Sequence, residues 1–312
     1  MKLTFNEIRS VTFGAREVVE KSDGNFYFDR FTQPQAQVFD AMLDYFSAET
    51  VPSTGCRMDF HTDSRHVIVQ PAKPGTYEVL IDGLQAARIT QPSRIELELP
   101  EGDTRVTILL PDHEYGALRI VYLDQDAYIK PHIYDRKFLF LGDSITQGYD
   151  SSRPSLTFAN RISHYFNAEV VNWAVGGSHF DKNTLAPTDY APDVIFIGYG
   201  TNDFVQFPDA ATLEMHCKEY MDKVCAMFPG KRVYCITPIW RADNKTIRPC
   251  GLFTDIRQLI ANCAQNHGFD VIDGYMLVPH TPDFYQDKYL HPNDIGFCIY
   301  AENLIGYLNG KI

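Results

Sequence analysis

Positive charge is in short supply: 28 Lys and Arg stand against 40 Asp and Glu in 312 residues, a net charge of −12. Such a surface repels phosphate backbones and anionic lipid, which argues against nucleic-acid and membrane partners and leaves uncharged or cationic ligands open. Long apolar runs are missing as well. Stretches such as Val194-Ile195-Phe196-Ile197 fall far short of the roughly 20 residues that span a bilayer. The opening Met1-Lys2-Leu3-Thr4 meets charge before a secretory apolar core can form. The seven cysteines contain no Cys-x-x-Cys pair, and their odd, scattered count suits reduced core thiols in a cytoplasmic protein. There is no phosphate-binding P-loop signature and no G-x-S-x-G elbow. His61 and His66 are five apart, on opposite faces of any continuous strand, so no metal pair is expected there. An aromatic content of 13% excludes intrinsic disorder.

What is present divides in two. At roughly 150 residues per domain the length suggests two units, and the pattern changes near 130–136. Before that point, short β-branched or alternating runs (66–70, 76–81, 94–99, 105–110 and 118–122) are separated by turn clusters such as Asp82-Gly83. That spacing predicts a β-sandwich over residues 1–132, with only 35–46 suited to a helix. From 133 to 312, compact apolar runs at 137–141, 169–172, 193–197, 232–236 and 270–272 alternate with helical periodicity. Leu213, Cys217, Tyr220, Val224 and Phe228 recur at helical spacing, as do Leu252, Ile256, Leu259 and Cys263, and then Phe297, Tyr300, Ala301, Leu304 and Leu308. Five such runs predict an α/β/α unit built on a five-stranded parallel sheet, with any ligand beyond the carboxyl ends of the strands.

The polar residues at those ends carry the chemistry. Gly142-Asp143-Ser144 follows the first run and can present a hydroxyl beside its own N–H. Gly176-Gly177 follows the second, where glycine serves either a tight turn or a close backbone approach to a ligand oxygen. Gly200-Thr201-Asn202-Asp203 follows the third, with Asn202 either a cap or an amide donor. His291-Pro292-Asn293 precedes the last helix. Singly, each has an ordinary structural reading. Together, in this order and on one sheet edge, they supply a nucleophile, oxyanion donors and a base.

This ordered set resembles the SGNH hydrolases, the GDSL esterase/lipase family, from about 137 to 308. The resemblance implies a three-layer, flavodoxin-like fold and a serine esterase. Ser144 would be the nucleophile, and Gly177 and Asn202, with the Ser144 N–H, the oxyanion hole. His291 would be the base, and no metal or cofactor is implied. Gly177 is preferred over Gly176 because it lies five residues past Asn172, as in the family's block. The family places its orienting acid three residues before the histidine, but here Lys288 holds that place and Asp287 lies four before. Asp287, Asp283 or a backbone carbonyl therefore remain as orienters, with Asp287 favoured. The β-rich half looks like the jelly-roll domain of two-domain carbohydrate esterases, including acetyl xylan esterases. That shifts the expected substrate toward small acyl groups on an oligosaccharide or other small molecule.

Three further residues fall near the same edge. Trp240 suits stacking on a sugar face, Arg241 suits a hydrogen bond to a substrate hydroxyl, and His179 is a candidate for lining the pocket. Asp143 is expected to be structural. An acyltransferase, a general short-chain esterase or lipase, and a non-catalytic carbohydrate binder stay open beside the carbohydrate deacetylase. The intact Ser144, Asn202 and His291 argue against the binder. Homo-oligomerisation is compatible with the sequence.

Overall fold

The computed structural model describes residues 1–42 and 52–312. In the N-terminal part, two antiparallel sheets enclose one core. The first runs Thr12–Phe13, Arg57–Thr62, Thr104–Leu109, Tyr77–Ile81, Leu84–Ile89, with Lys130–Pro131 also on Arg57–Thr62. The second runs Glu17–Glu20, Phe26–Asp29, Ala117–Leu123, His66–Pro71, Ile95–Glu98. Period-two alternation drives the packing: Met58 and Phe60 from one sheet meet Val67, Val69 and Val121 from the other. The alternate residues of the first sheet, Arg57 and Asp59, are buried too, which requires a second layer against its outer face.

The helix expected over 35–46 is present as Gln33–Met42, and 43–46 lie outside the described residues. A second helix, Phe5–Ser10, was not expected in this part. Its signal was a capping box, in which the Thr4 hydroxyl accepts from the Glu7 N–H and the Glu7 carboxylate accepts from the Thr4 N–H at 2.7 Å.

The second part is built on β1 (Arg136–Gly142), β2 (Ala168–Asn172), β3 (Val194–Gly198), β4 (Arg232–Ile236) and β5 (Asp270–Ile272). They are all parallel, in the order β2-β1-β3-β4-β5, the flavodoxin-like arrangement. Helices α1 (Phe158–Tyr165), α2 (Ala210–Met227), α3 (Phe253–Asn266) and α4 (Asp294–Leu308) cover its two faces. Alternate strand residues feed opposite cores. Leu139, Ile195 and Cys235 pack with α2 and α3, whereas Phe138, Phe196 and Tyr234 pack with α1 and α4. The order reverses between β1 and β3, so a crevice opens at their carboxyl ends, where Ser144 and Asn202 lie. No helix among the described residues is long and apolar enough to cross a membrane.

Candidate active site

Ser144 opens a four-residue helix, Ser144–Gln147, directly after β1. Asp143 caps that helix, its carboxylate accepting from the Ile145 N–H at 3.0 Å, which turns the chain sharply and leaves Ser144 at the sheet edge. Asp143 is fully buried, and burial pushes its carboxyl up to about 8, with the charge of Asp203 adding to the effect. Its role is the structural one expected.

The Ser144 Oγ lies 2.8 Å from His291 Nε2. On the far side of the ring, His291 Nδ1 lies 2.9 Å from Asp287 Oδ2. Asp287 accepting at Nδ1 fixes the tautomer that leaves the Nε2 lone pair facing the serine hydroxyl. The other Asp287 oxygen accepts backbone N–H bonds from Tyr289 (2.8 Å), Leu290 (2.7 Å) and His291 (3.1 Å). Burial alone would raise Asp287. The Leu290 and Tyr289 N–H groups, with His291 beside it, outweigh burial and hold it below the usual carboxylate range.

The extra residue in the Asp-to-His spacing is accommodated at Lys288, which adopts a left-handed φ of 58°. That single reversal closes the turn and brings Asp287 back under the ring. Of the other orienters considered, Asp283 uses its backbone carbonyl to accept from Asn293 Nδ2 at 2.8 Å. Asp150, which the sequence did not flag, stands 3.8 Å from His291 Nδ1. Asp150, Asp287 and His291 form a grouping with donor atoms within 4.8 Å of one another. Its Nδ1 is the atom already engaged by Asp287, so the grouping is that of a histidine and its acids.

Gly177 and Asn202 come to the same place. A pocket of about 240 Å³ is walled by Ser144, Tyr149, Gly177, Asn202, Leu290 and His291, among others. Gly177 has a φ of +79°, a conformation that favours glycine. The neighbouring Gly176 N–H is spent on Gln147 Oε1 at 2.7 Å. Among the described residues the N–H groups of Gly177 and Ser144 find no acceptor, which leaves them for a ligand oxygen. Asn202 Nδ2 gives one bond to the Ser178 carbonyl at 2.9 Å, orienting the amide and keeping its second hydrogen.

Three expected substrate contacts are not assembled here. Arg241 is 3% exposed, and its guanidinium is saturated by Asp243 (2.5 Å), the Thr201 carbonyl (2.7 Å) and the Tyr289 hydroxyl (3.1 Å). A side chain so committed cannot also serve a substrate hydroxyl; it ties the Asn202 loop to the His291 loop. Trp240 is half-buried and packs on Tyr285 at 4.9 Å, against the core on the α1 and α4 side, and does not line the pocket. His179 sits edge-on to Phe207 at 5.2 Å and does not line the pocket. His61 and His66 likewise go separate ways, to Asp103 and to Asp124.

Residues invisible to the sequence reading complete the site. Tyr149 lies against the His291 ring at 4.9 Å. Arg30, from the β-sandwich, grips the carbonyls of Asn172 (3.0 Å) and Ala174 (2.9 Å) at the end of β2. Gln147 bridges the Asp112 carbonyl to the Gly176 N–H. No local motif signals these, because each acts on a partner more than 25 residues away.

Residues 140–297 match the GDSL-like lipase/acylhydrolase family, and this stretch contains Ser144, Gly177, Asn202, Asp287 and His291. The chain belongs to that family. Membership makes it an ester hydrolase of the SGNH type, on the fold expected of the class. Solved structures extend the likeness over both domains. A salicylyl-acyltransferase from a tetracycline biosynthetic pathway is 20% identical, with 96% of this chain and 94% of that one covered at a TM-score of 0.80. A family two carbohydrate esterase from Cellvibrio japonicus is 18% identical, covering 96% and 94% at 0.65. An acetyl xylan esterase from the rumen bacterium Butyrivibrio proteoclasticus is 16% identical, covering 84% and 91% at 0.58. No curated protein sequence matches significantly.

Proposed function

We propose that this GDSL-like protein is a serine-dependent carboxylester hydrolase that removes small acyl groups, acetyl foremost, from a carbohydrate through an acyl-enzyme. The observation that carries the reading is the unbroken relay of Ser144 Oγ to His291 Nε2 at 2.8 Å and His291 Nδ1 to Asp287 at 2.9 Å. His291 takes the Ser144 proton as the hydroxyl oxygen attacks the ester carbonyl. The Ser144 and Gly177 N–H groups and the Asn202 amide receive the oxyanion, each such donor worth about 2.7–4 kcal/mol. His291 then protonates the leaving alkoxide, and water releases the acid by the reverse steps.

The substrate reading rests on shape. At about 240 Å³ the pocket is smaller than the roughly 300–1,000 Å³ of sites for drug-sized ligands, which suits a short acyl chain. An adjoining cleft of about 580 Å³ shares Tyr149 and is lined by polar groups including His113, Ser151, Gln286 and Asn293, a wall suited to a hydroxyl-rich alcohol. The reading is tested by acid release from acetylated xylo-, manno- and gluco-oligosaccharides beside short- and long-chain aryl esters. Ser144→Ala should abolish hydrolysis of p-nitrophenyl acetate; an unchanged rate refutes the assignment.

Acyl transfer is the second reading, favoured by the likeness of both domains to a salicylyl-acyltransferase. It differs only in the acceptor, so product ratios with added alcohols against water separate the two. A reducing, cytoplasmic setting is proposed from the seven cysteines, all free.

A further inference from the structure

In a chain with twelve more acids than bases, four arginines converge on one cavity of about 340 Å³ at the seam between the sandwich and the parallel-sheet domain. Arg57 and Arg105 come from the outer face of the first sheet, whereas Arg153 and Arg161 come from the segment entering α1 and from α1 itself. The cavity shares no lining residue with the pocket at Ser144. Its one acidic lining residue, Glu302, is solvent-exposed on α4.

Only part of this positive charge is answered. Arg105 forks onto the buried Asp59 at 2.9 and 2.7 Å. Arg153 stands 3.6 Å from the buried Glu78, and its buried Nε has no hydrogen-bond acceptor. Arg57 is 5% exposed, yet it donates only to neutral oxygens, Asn160 Oδ1 at 2.7 Å and the Gly55 carbonyl at 3.5 Å. Arg161 gives its Nε to the Leu156 carbonyl at 3.0 Å. Neither Arg57 nor Arg161 has a carboxylate within 4.0 Å among the described residues. Asp59, Asp112 and Glu169 act on Arg57 only at a distance. This buried guanidinium therefore has no anion in contact, a costly arrangement that an added anion would relieve. On the same wall, partial burial and then the charges of Arg105 and Arg57 hold the His164 ring below its usual range.

We propose that this interdomain cavity binds a small phosphate-class oxyanion, orthophosphate or a phosphomonoester, between Arg57 and Arg161. Planar guanidinium forks match phosphate oxygens, and the volume leaves room for a small esterified group. Because the walls come from both domains, occupancy fastens the sandwich to the catalytic sheet and stabilises the native state by mass action.

The test uses the full chain, titrated with orthophosphate and with a hexose phosphate against sodium chloride at matched ionic strength. Calorimetry should give saturable one-to-one binding, and the melting temperature should rise with phosphate but not with chloride. Arg57→Met and Arg161→Met should each weaken binding at least tenfold. Arg161 is only half-buried, so its variant keeps the test alive if Arg57→Met fails to fold. In the wild-type protein the His164 ring resonances should shift as phosphate saturates. Equal affinity for the two probes assigns the site to the free anion, and tighter hexose phosphate binding assigns it to the ester. Absence of saturable binding by both probes overturns the proposal, as does binding unchanged in Arg161→Met with His164 unmoved.

Discussion

Asp287 is the residue whose role the sequence left open, and its geometry makes sharp demands. Asp287→Asn should lower kcat by about 10⁴, the cost of the wrong histidine tautomer in the serine-protease template. A loss under tenfold on p-nitrophenyl acetate removes it from the relay. Asp150, at 3.8 Å, is beyond hydrogen-bond reach of the ring, so Asp150→Asn should change kcat less than tenfold. A second residue-scale expectation concerns Asp143, with a carboxyl pushed by burial to about 8. Below about pH 4 the group is protonated in folded and unfolded chains alike. Between there and about 8 only the unfolded chain ionises, so this group makes the protein less stable as pH rises. Asp143→Asn keeps an oxygen to accept from Ile145 and should narrow the drop in melting temperature between pH 5 and pH 8. An unaltered drop disproves the buried-acid account.

At the scale of elements, the five parallel strands and α2, α3 and α4 were legible because their apolar periods are continuous. By contrast, Glu17–Glu20, Phe26–Asp29, Arg57–Thr62 and Leu84–Ile89 of the sandwich were not read as strands. Helix α1 gave no such signal: Asn160, Arg161 and His164 dilute its apolar face, and Arg161 helps to line the interdomain cavity. The loop 287–291 was legible in composition but not in shape, since the left-handed Lys288 is set by the three N–H bonds to Asp287. Arg241 was misread for a related reason. A charged residue at a strand end looks exposed until the loops that cover it are known. As a positioning residue joining Thr201 to Tyr289, it calls for a fork that lysine lacks. Arg241→Lys should lower kcat at least tenfold with KM little changed, whereas a pure KM effect would return it to the substrate.

On the scale of the whole molecule, the sandwich does more than precede the catalytic sheet. Arg30 reaches from it to hold the Asn172 and Ala174 carbonyls, and Gln147 links its Asp112 to the Gly176 N–H. The loop that presents Gly177 is therefore braced from the other domain. Arg30→Met leaves buried carbonyls without donors and should lower both the melting temperature and kcat. If kcat holds while stability falls, the brace is structural only.

The sequence by itself determined the parallel α/β sheet and the order of the polar blocks at its strand ends. Both are written in local patterns, period two or 3.6 for the elements and short motifs at strand ends. Tertiary structure alone decided that Asp287 orients the ring, that Arg241 is internal, and that arginines from both domains share one cavity. The first depends on the left-handed turn at Lys288. The other two depend on contacts between segments far apart in the chain, from Thr201 to Arg241 and from Arg57 to Asn160. No local period records either. The shortage of positive charge argued against nucleic-acid and membrane partners. The folded chain nonetheless gathers four arginines around one interdomain cavity, where the local charge runs opposite to that of the whole molecule.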